Sequence, residues 1–265
     1  MGNLRFISLG SGSSGNCYFL GTEKYGILID AGLSQRRIQK MLNNVCISFD
    51  NIFGVLLTHA HADHTRGANS ISNRLHIPFY STSETFSLTS TGYRAQYEVG
   101  YQERNIITPL VPFEIGEFKI TAFELPHDVY NVGYKIEYRD KVFTVATDLG
   151  ESTEYLNKLV EETDYLVLEA NYDYDMLLNG SYTYQLKQRI VGESGHLNNK
   201  KAAEIIQNHA TDRLKRLFLC HLSAHNNKPE IVQELFEQVK PKRTIVEVLP
   251  RLHPGFFHLP IKNNE

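Results

Sequence analysis

The segment THAHADH, residues 58–64, concentrates side chains that can bind metal ions. His59, His61, Asp63 and His64 lie within six positions, directly after an apolar run. Imidazole nitrogens and carboxylate oxygens are ligands of Zn²⁺, and catalytic zinc sites use them where structural sites are rich in cysteine. A solvated loop has no physical reason for this composition, so the segment predicts a metal site.

Further imidazoles and carboxylates follow apolar runs elsewhere in the chain. They end the segments YGILID, FELPH, FTVATD, YLVLE and LFLCH, and are Asp30, His127, Asp148, Glu169 and His221. Residues at the ends of compatible strands converge on one rim of a sheet, where a rigid scaffold positions active-site loops. Together with THAHADH there are too many ligands for one ion, so two divalent ions about 3.5–4 Å apart fit the inventory better.

The elements that would position these residues are short strands followed by helices. Strand patterns are LRFISL, CYFLGT, YGILIDAG, IFGVLLTH, FKITAFEL, VGYKIEYR and KVFTVATD. Helical patterns are SQRRIQKMLNN, DHTRGANSISNRLH, STEYLNKLVEE, NKKAAEIIQNHA and KPEIVQELFEQVK, the last two with Asn198 and Asn227 as predicted N-caps. After residue 140 strands alternate with helices. This order predicts one α/β domain over residues 1–265, in which two mixed sheets pack face to face with helices outside.

Composition narrows the class of protein. The chain has 265 residues, 42% of them hydrophobic, which suffices for a sizeable core. Its net charge of -3 provides no bulk positive field, so contacts with phosphates would come from a local patch. Three cysteines without a CxxC pair favour a reducing, cytoplasmic compartment. No signal-peptide pattern occurs, and no segment approaches the ~18 apolar residues of a membrane span, so we expect no membrane contact.

The motif THAHADH resembles the T-H-x-H-x-D-H signature of the metallo-β-lactamase superfamily of binuclear metallohydrolases. The match continues in order through LIDAG, LPHDVYNVGY, ATDLG and CHLS, over most of the chain. The resemblance implies a four-layer αββα sandwich of two mixed β-sheets. It also implies the ligands of two ions, which are His59, His61 and His127 for one, Asp63, His64 and His221 for the other, and the bridging Asp148. Asp30 would orient a ligand histidine through its other ring nitrogen. Zn²⁺, Mn²⁺ and Fe all suit these donors.

Within that superfamily, three features favour phosphodiester substrates. The bridging position is Asp148, where the true β-lactamases carry Cys. Glu169 in LVLEANYD and His196 in SGHLNN resemble the pair with which the ribonuclease Z group is thought to protonate the leaving alkoxide. SLGSGSSGNCY, GHLNN and HLSAHNN together resemble the YycJ/WalJ branch, bacterial proteins described as DNA exonucleases.

The expected activity is therefore a metal-dependent exonuclease, with DNA favoured over RNA as substrate. A hydroxide bridging two ions would attack phosphorus, His196 supported by Glu169 would protonate the leaving group, and Asp63 counts among the catalytic residues. A local basic track for the strand could consist of Lys187, Arg189, Lys200, Lys201, Arg213, Lys215 and Arg216. Base-stacking or sheet-capping tyrosines would be Tyr172, Tyr174, Tyr182 and Tyr184.

Other functions stay open at this point. A ribonuclease Z-like enzyme would carry a long arm that grips transfer RNA. The candidate segment, residues 81–116, is ordinary in length, and its only basic residues are Arg94 and Arg104. A cyclic phosphodiesterase, or a thioesterase of the glyoxalase II type, is compatible with Asp148, although the latter group adds a C-terminal helical domain that no pattern here predicts. A scaffold with a decayed site is disfavoured by the complete ligand set. No residue pattern indicates an oligomeric state.

Overall fold

The structure is a computed structural model that describes residues 4–251 and 253–260; the rest of the predicted 1–265 domain lies outside the described residues. The chain divides into two compact units, each described by itself below. The first unit takes the described residues up to Lys119 together with those from Pro250 onward, and the second is Ile120–Leu249.

The described strands are β1 (Leu4–Gly10), β2 (Cys17–Gly21), β3 (Gly26–Ile29), β4 (Ile52–Leu56), β5 (Phe79–Ser81), β6 (Arg104–Ile106), β7 (Phe113–Ile115), β8 (Phe118–Leu125), β9 (Asn131–Tyr138), β10 (Lys141–Ala146), β11 (Tyr165–Glu169), β12 (Arg216–Cys220), β13 (Ile245–Val248) and β14 (Gly255–Leu259). The described helices are α1 (Gln35–Asn43), α2 (Ala62–Thr65), α3 (Ala68–Leu75), α4 (Ser83–Thr89), α5 (Glu154–Glu162), α6 (Tyr174–Asn179), α7 (Tyr184–Val191), α8 (Asn199–His209) and α9 (Pro229–Val239). Three short 3-10 helices cover Phe49–Asn51, Gly92–Tyr97 and Tyr101–Glu103.

The strands form two mixed sheets of seven. The first sheet has the order β14-β1-β2-β3-β4-β5-β6, with antiparallel pairs up to β3 and parallel pairs from β3 to β6. The second has the order β13-β12-β11-β10-β9-β8-β7, in which β10 to β13 are parallel and β9 with β10 is antiparallel. The carboxyl ends of neighbouring parallel strands meet at one edge, and this brings together the polar residues that follow them.

Each unit has its own apolar core. In the first unit, α1 and α3 contribute Ile38, Leu42 and Ile71 to a cluster with side chains of β1 to β4. In the second unit, α5, α8 and α9 pack on strands whose residues are almost all buried, as parallel strands covered by helices require. These cores hold the strand ends rigid, so the residues beyond them have fixed positions.

Two predicted helix features differ from the structure. The pattern DHTRGANSISNRLH forms two helices, because the chain turns at Gly67, where an added Cβ would lie 2.3 Å from the carbonyl oxygen of Leu33. Asn198 is the N-cap of α8 as predicted, and its side chain accepts from Lys201 N. The N-cap of α9 is Lys228, not Asn227, because the helix begins one residue later than predicted, with Pro229 at its first position, where proline is favoured. Among the described helices, none is long and apolar enough to cross a membrane.

Candidate functional site

The first unit carries a cluster formed by His59, His61, Asp63 and His64, termed the first ligand cluster. His59 lies in the buried loop after β4, His61 is the N-cap of α2, and the other two residues lie within α2. His59 Nε2 is 3.0 Å from His61 Nδ1, and Asp63 Oδ2 is 3.7 Å from His64 Nε2. Two donors about 2.1 Å from one tetrahedral Zn²⁺ ion would lie about 3.4 Å apart, so these spacings fit metal binding.

Asp30, which follows β3, forms a hydrogen bond with His64 of this cluster. Its buried carboxylate lies 2.7 Å from His64 Nδ1, and it accepts from the backbone N–H and the hydroxyl of Thr58. The Thr58 hydroxyl also lies 2.9 Å from His59 Nδ1. Burial raises the pKa of Asp30, and its contacts with His64 and Thr58 oppose that shift. Since Asp30 accepts a hydrogen bond from His64 Nδ1, the lone pair of that ring lies on Nε2, as metal binding needs.

In the second unit, the ends of three parallel strands bring Asp148, Glu169 and His221 together with His196. One ligand atom from each of these four side chains lies within 4.8 Å of the others. His221 Nδ1 is 3.3 Å from Asp148 Oδ1 and 3.0 Å from Glu169 Oε1. We term Asp148, His221 and His127, the predicted metal ligands that lie in the second unit, the second ligand cluster.

Glu169 and His196 form a close pair beside this cluster, termed the Glu–His dyad. His196 Nδ1 lies 2.7 Å from Glu169 Oε1, and Glu169 Oε2 accepts from the backbone N–H groups of Leu149 and Leu197. Glu169 is fully buried, which raises its pKa, but His196 and the hydrogen bond from His221 outweigh burial and hold it at about 2. Burial lowers the pKa of His196, yet the Glu169 carboxylate raises it overall. The dyad is therefore suited to hold a proton on His196 Nε2, and 22% of the His196 side chain is exposed.

His127 is oriented by the loop that carries His196. Its Nδ1 donates to the carbonyl oxygen of Gly195 at 3.0 Å, which places the lone pair on Nε2, and its ring centroid lies 5.3 Å from that of His196. At Gly195 an added Cβ would meet the carbonyl oxygen of Ile190 at 2.2 Å, so only glycine fits there. Within this loop, the carbonyl of Gly195 thus orients His127, and the side chain of the next residue, His196, belongs to the Glu–His dyad.

Three of the site residues adopt a left-handed backbone conformation that is uncommon outside glycine. Asp30, Asp148 and His221 have φ of 59°, 58° and 56°, and each stands just beyond the end of its strand. This conformation turns the chain sharply, which aims the side chain at the strand-end rim instead of along a sheet face. Strained backbone of this kind persists where surrounding structure fixes it, and it clusters at functional sites.

The structure brings the predicted residues together within each unit. The first unit joins Asp30 to the first ligand cluster, and the second joins the Glu–His dyad to the second ligand cluster. Their histidine and carboxylate donors are those that Zn²⁺, Mn²⁺ and Fe accept. Residues that the sequence analysis missed are Thr58, Asn16, Asn171 and Gly195. All four lie in the quoted motifs THAHADH, SLGSGSSGNCY, LVLEANYD and SGHLNN, but their roles are seen only through tertiary contacts.

The predicted basic track carries less unpaired charge than the sequence suggests. Most of its cations contact acidic side chains or carbonyls, and the pairs are Lys187 with Leu178, Arg189 with Asp128, Lys201 with Glu151, Arg213 with Asp164, Lys215 with Asp212 and Arg216 with Glu247. Of the predicted tyrosines, Tyr172 is buried while Tyr174 and Tyr184 are exposed. The Tyr182 ring packs edge-on against that of His225.

Comparison with known proteins identifies the family. A family model of the beta-lactamase superfamily domain matches residues 25–222. The chain is 32% identical over 229 residues to exodeoxyribonuclease WalJ of Streptococcus pneumoniae, over 86% of this chain and 84% of that protein. It is 28% identical over 244 residues to exodeoxyribonuclease YycJ of Bacillus anthracis, over 89% of each.

A solved structure supports the fold assignment. The metallo-β-lactamase fold protein YhfI from Bacillus subtilis superposes with a TM-score of 0.71 at 16% identity, covering 97% of this chain and all of that chain. At this identity the likeness concerns the fold alone. The predicted α/β fold class, with two mixed sheets, is confirmed.

Proposed function

Because the chain belongs to the β-lactamase superfamily and is a metal-dependent hydrolase, we propose that it is a binuclear exodeoxyribonuclease. Its similarity to two exodeoxyribonucleases over more than four fifths of their lengths supports a nuclease. The Glu–His dyad is the observation that carries the proposal, since a buried carboxylate 2.7 Å from a partly exposed histidine is an arrangement for delivering a proton.

The proposed metal ligands are those that the family resemblance implies. One ion would be held by His59, His61 and His127, the other by Asp63, His64 and His221, and Asp148 would be shared. Divalent ions bound there would lower the pKa of water and neutralise charge on the phosphoryl group. The protein's part is to hold the donors. Asp30 and Thr58 orient His64 and His59, and Gly195 orients His127. Such supporting contacts fix ring orientation and raise ligand basicity.

His196 would protonate the oxygen that leaves when a phosphodiester is cut. Its Nδ1 is turned to Glu169, so the proton on Nε2 is the one it can give. Glu169 stays ionised because its pKa is about 2, and its negative charge raises the pKa of His196, which favours the protonated form of that ring. A nucleoside alkoxide is a poor leaving group without a proton, whereas a thiolate leaves readily, so the dyad favours a phosphodiester over a thioester.

The substrate class is tested by incubating chelator-stripped protein, reloaded with Zn²⁺ or Mn²⁺, with end-labelled DNA, end-labelled RNA and a glutathione thioester. We expect stepwise loss of nucleotides from a DNA end, and slower loss from RNA. Faster cleavage of RNA than of DNA would contradict the proposal and show that the protein is a ribonuclease. Cleavage of the thioester alone would replace it with a hydrolase of the glyoxalase II type.

A further inference from the structure

The loop Ser11–Asn16, sequence SGSSGN, follows β1 and has a defined conformation. Gly12 and Gly15 have φ of 149° and 148°, which side-chain-bearing residues rarely adopt, and Gly15 N donates to the Gly12 carbonyl at 2.8 Å. Both glycines and Asn16 are buried, and only the tip at Ser13 is exposed. The loop is therefore a built turn and not a flexible spacer.

Asn16 ends this turn and contacts the metal-ligand segment through its backbone. Its N–H donates to the carbonyl oxygen of Asp63 at 2.7 Å, and its own carbonyl accepts from Gly32 N at 2.8 Å. At Gly32 an added Cβ would lie 1.6 Å from the Asp63 carbonyl oxygen and 2.6 Å from Asn16 N. Three chain segments thus meet at van der Waals distance, which leaves Asp63 little freedom.

The side chain of Asn16 has its orientation fixed by a third contact. Its Oδ1 accepts from Gly12 N at 2.8 Å, which turns the amide nitrogen toward the first ligand cluster. That nitrogen lies 3.3 Å from Asp63 Oδ2 and 2.9 Å from His64 Nε2. The Asp63 carboxylate oxygen has lone pairs for both this N–H and an ion, whereas His64 Nε2 has a single lone pair, which an ion would take. The side-chain contact that can persist beside a bound ion is therefore the one to Asp63.

We infer that Asn16 is a positioning residue that holds Asp63 in the orientation that binds a divalent ion. The inference rests on the proposed metal ligands and extends the proposed function, because it assigns to the SGSSGN turn the role of holding Asn16 against Asp63. Because Asn16 contacts only half of the first ligand cluster, its loss should affect the ion bound by Asp63 and His64. The ion bound by His59 and His61 should be unaffected.

The test is a calorimetric titration with Zn²⁺ of chelator-stripped protein, carried out for the parent and for Asn16→Ala. Ser13→Ala, at the exposed tip of the same turn, is the matched control, and His59→Ala identifies which binding phase belongs to which ion. For Asn16→Ala we expect one phase to weaken by about 10–100-fold, as loss of a supporting contact does. The other phase and the Ser13→Ala isotherm should match the parent.

Thermal melts of the stripped proteins show whether Asn16→Ala lowers the melting midpoint, and so distinguish a role of Asn16 in folding from a role in positioning Asp63. If both phases weaken equally and the midpoint falls, or if the isotherm is unchanged, the inference is overturned. Asn16→Ser retains the backbone contacts and a hydroxyl, and it carries the same expectation if Asn16→Ala does not fold. The titration needs no DNA, so a parent that binds two ions without cutting DNA would refute the proposed function and still allow the role of Asn16 to be decided.

Discussion

Replacing His196 with alanine should slow the hydrolysis of DNA far more than that of bis(p-nitrophenyl) phosphate. His196 lies 2.7 Å from Glu169, and 22% of its side chain is exposed, so it can give a proton to a leaving oxygen. A nucleoside alkoxide needs that proton, whereas nitrophenolate leaves without one. General acid catalysis contributes about 10²–10⁴ in rate, which equals about 2.7–5.4 kcal/mol of transition-state stabilisation. We expect a loss of that size for DNA and little change for the activated ester.

The assay compares kcat/KM for the two substrates at equal metal loading, measured for the parent and His196→Ala. His209→Ala, in the same unit and at the end of α8, is the control and should match the parent on both substrates. An equal loss on DNA and on the activated ester would show that His196 acts by holding the metal ligands. An unchanged kcat/KM for DNA in His196→Ala would show that the Glu–His dyad does not protonate the leaving group.

The pH dependence follows from the same pair. The pKa of His196 is raised from its ordinary value of 6.5 by the Glu169 carboxylate, so the histidine stays protonated to higher pH than an isolated one. Its acid form is lost as pH rises through that raised pKa, and hydrolysis of DNA should fall over the same range. The fall should be missing for the activated ester and for His196→Ala, which a full pH profile of each would reveal.

Three further predictions concern metal support and stability. Asp30→Asn should weaken binding of the ion at His64 by about 10–100-fold, measured by calorimetry, because the hydrogen bond that orients this ring is altered; an unchanged affinity would contradict it. Asp164→Ala should lower the free energy of unfolding by about 1–3 kcal/mol in urea melts, since a buried carboxylate that accepts from Val142 N and Arg213 is removed; kcat/KM should be unchanged, and a drop would show a link to the site. Stripping the ions should lower the melting temperature, since ions at 100 times their Kd stabilise the folded state by about 2.7 kcal/mol; equal midpoints with and without chelator would argue against resident ions.

The local parts of the site could be read from the sequence. THAHADH concentrates four candidate ligands within six residues, and the residues at the ends of parallel strands come together because those strands share a direction. Asp148, Glu169 and His221 illustrate this, since each lies at or just beyond the end of one of three adjacent strands of the second sheet. Alternation and apolar runs located these strands to within a few residues, because buried strands need such patterns.

Other parts depend on contacts that no local pattern records. The carbonyl of Gly195 meets His127 from 68 residues away, and the Asn16 amide meets His64 from 48 residues away. Helix α7 has eight residues, fewer than the window of about 11–18 residues in which a helical period is recognised in a sequence. The basic track looked stronger in sequence than in structure, because partners such as Asp128 for Arg189 lie far away along the chain.

Whether the nuclease needs two ions is tested by following DNA hydrolysis as Zn²⁺ or Mn²⁺ is added back to stripped protein, with the ions bound per chain counted at each step. We expect no hydrolysis in the presence of chelator and activity that becomes maximal when two ions are bound. Asp148→Asn, which changes the residue assigned to bridge the ions, should bind the second ion weakly and remain inactive. Full activity in chelator, or maximal activity with a single ion, would contradict a binuclear nuclease.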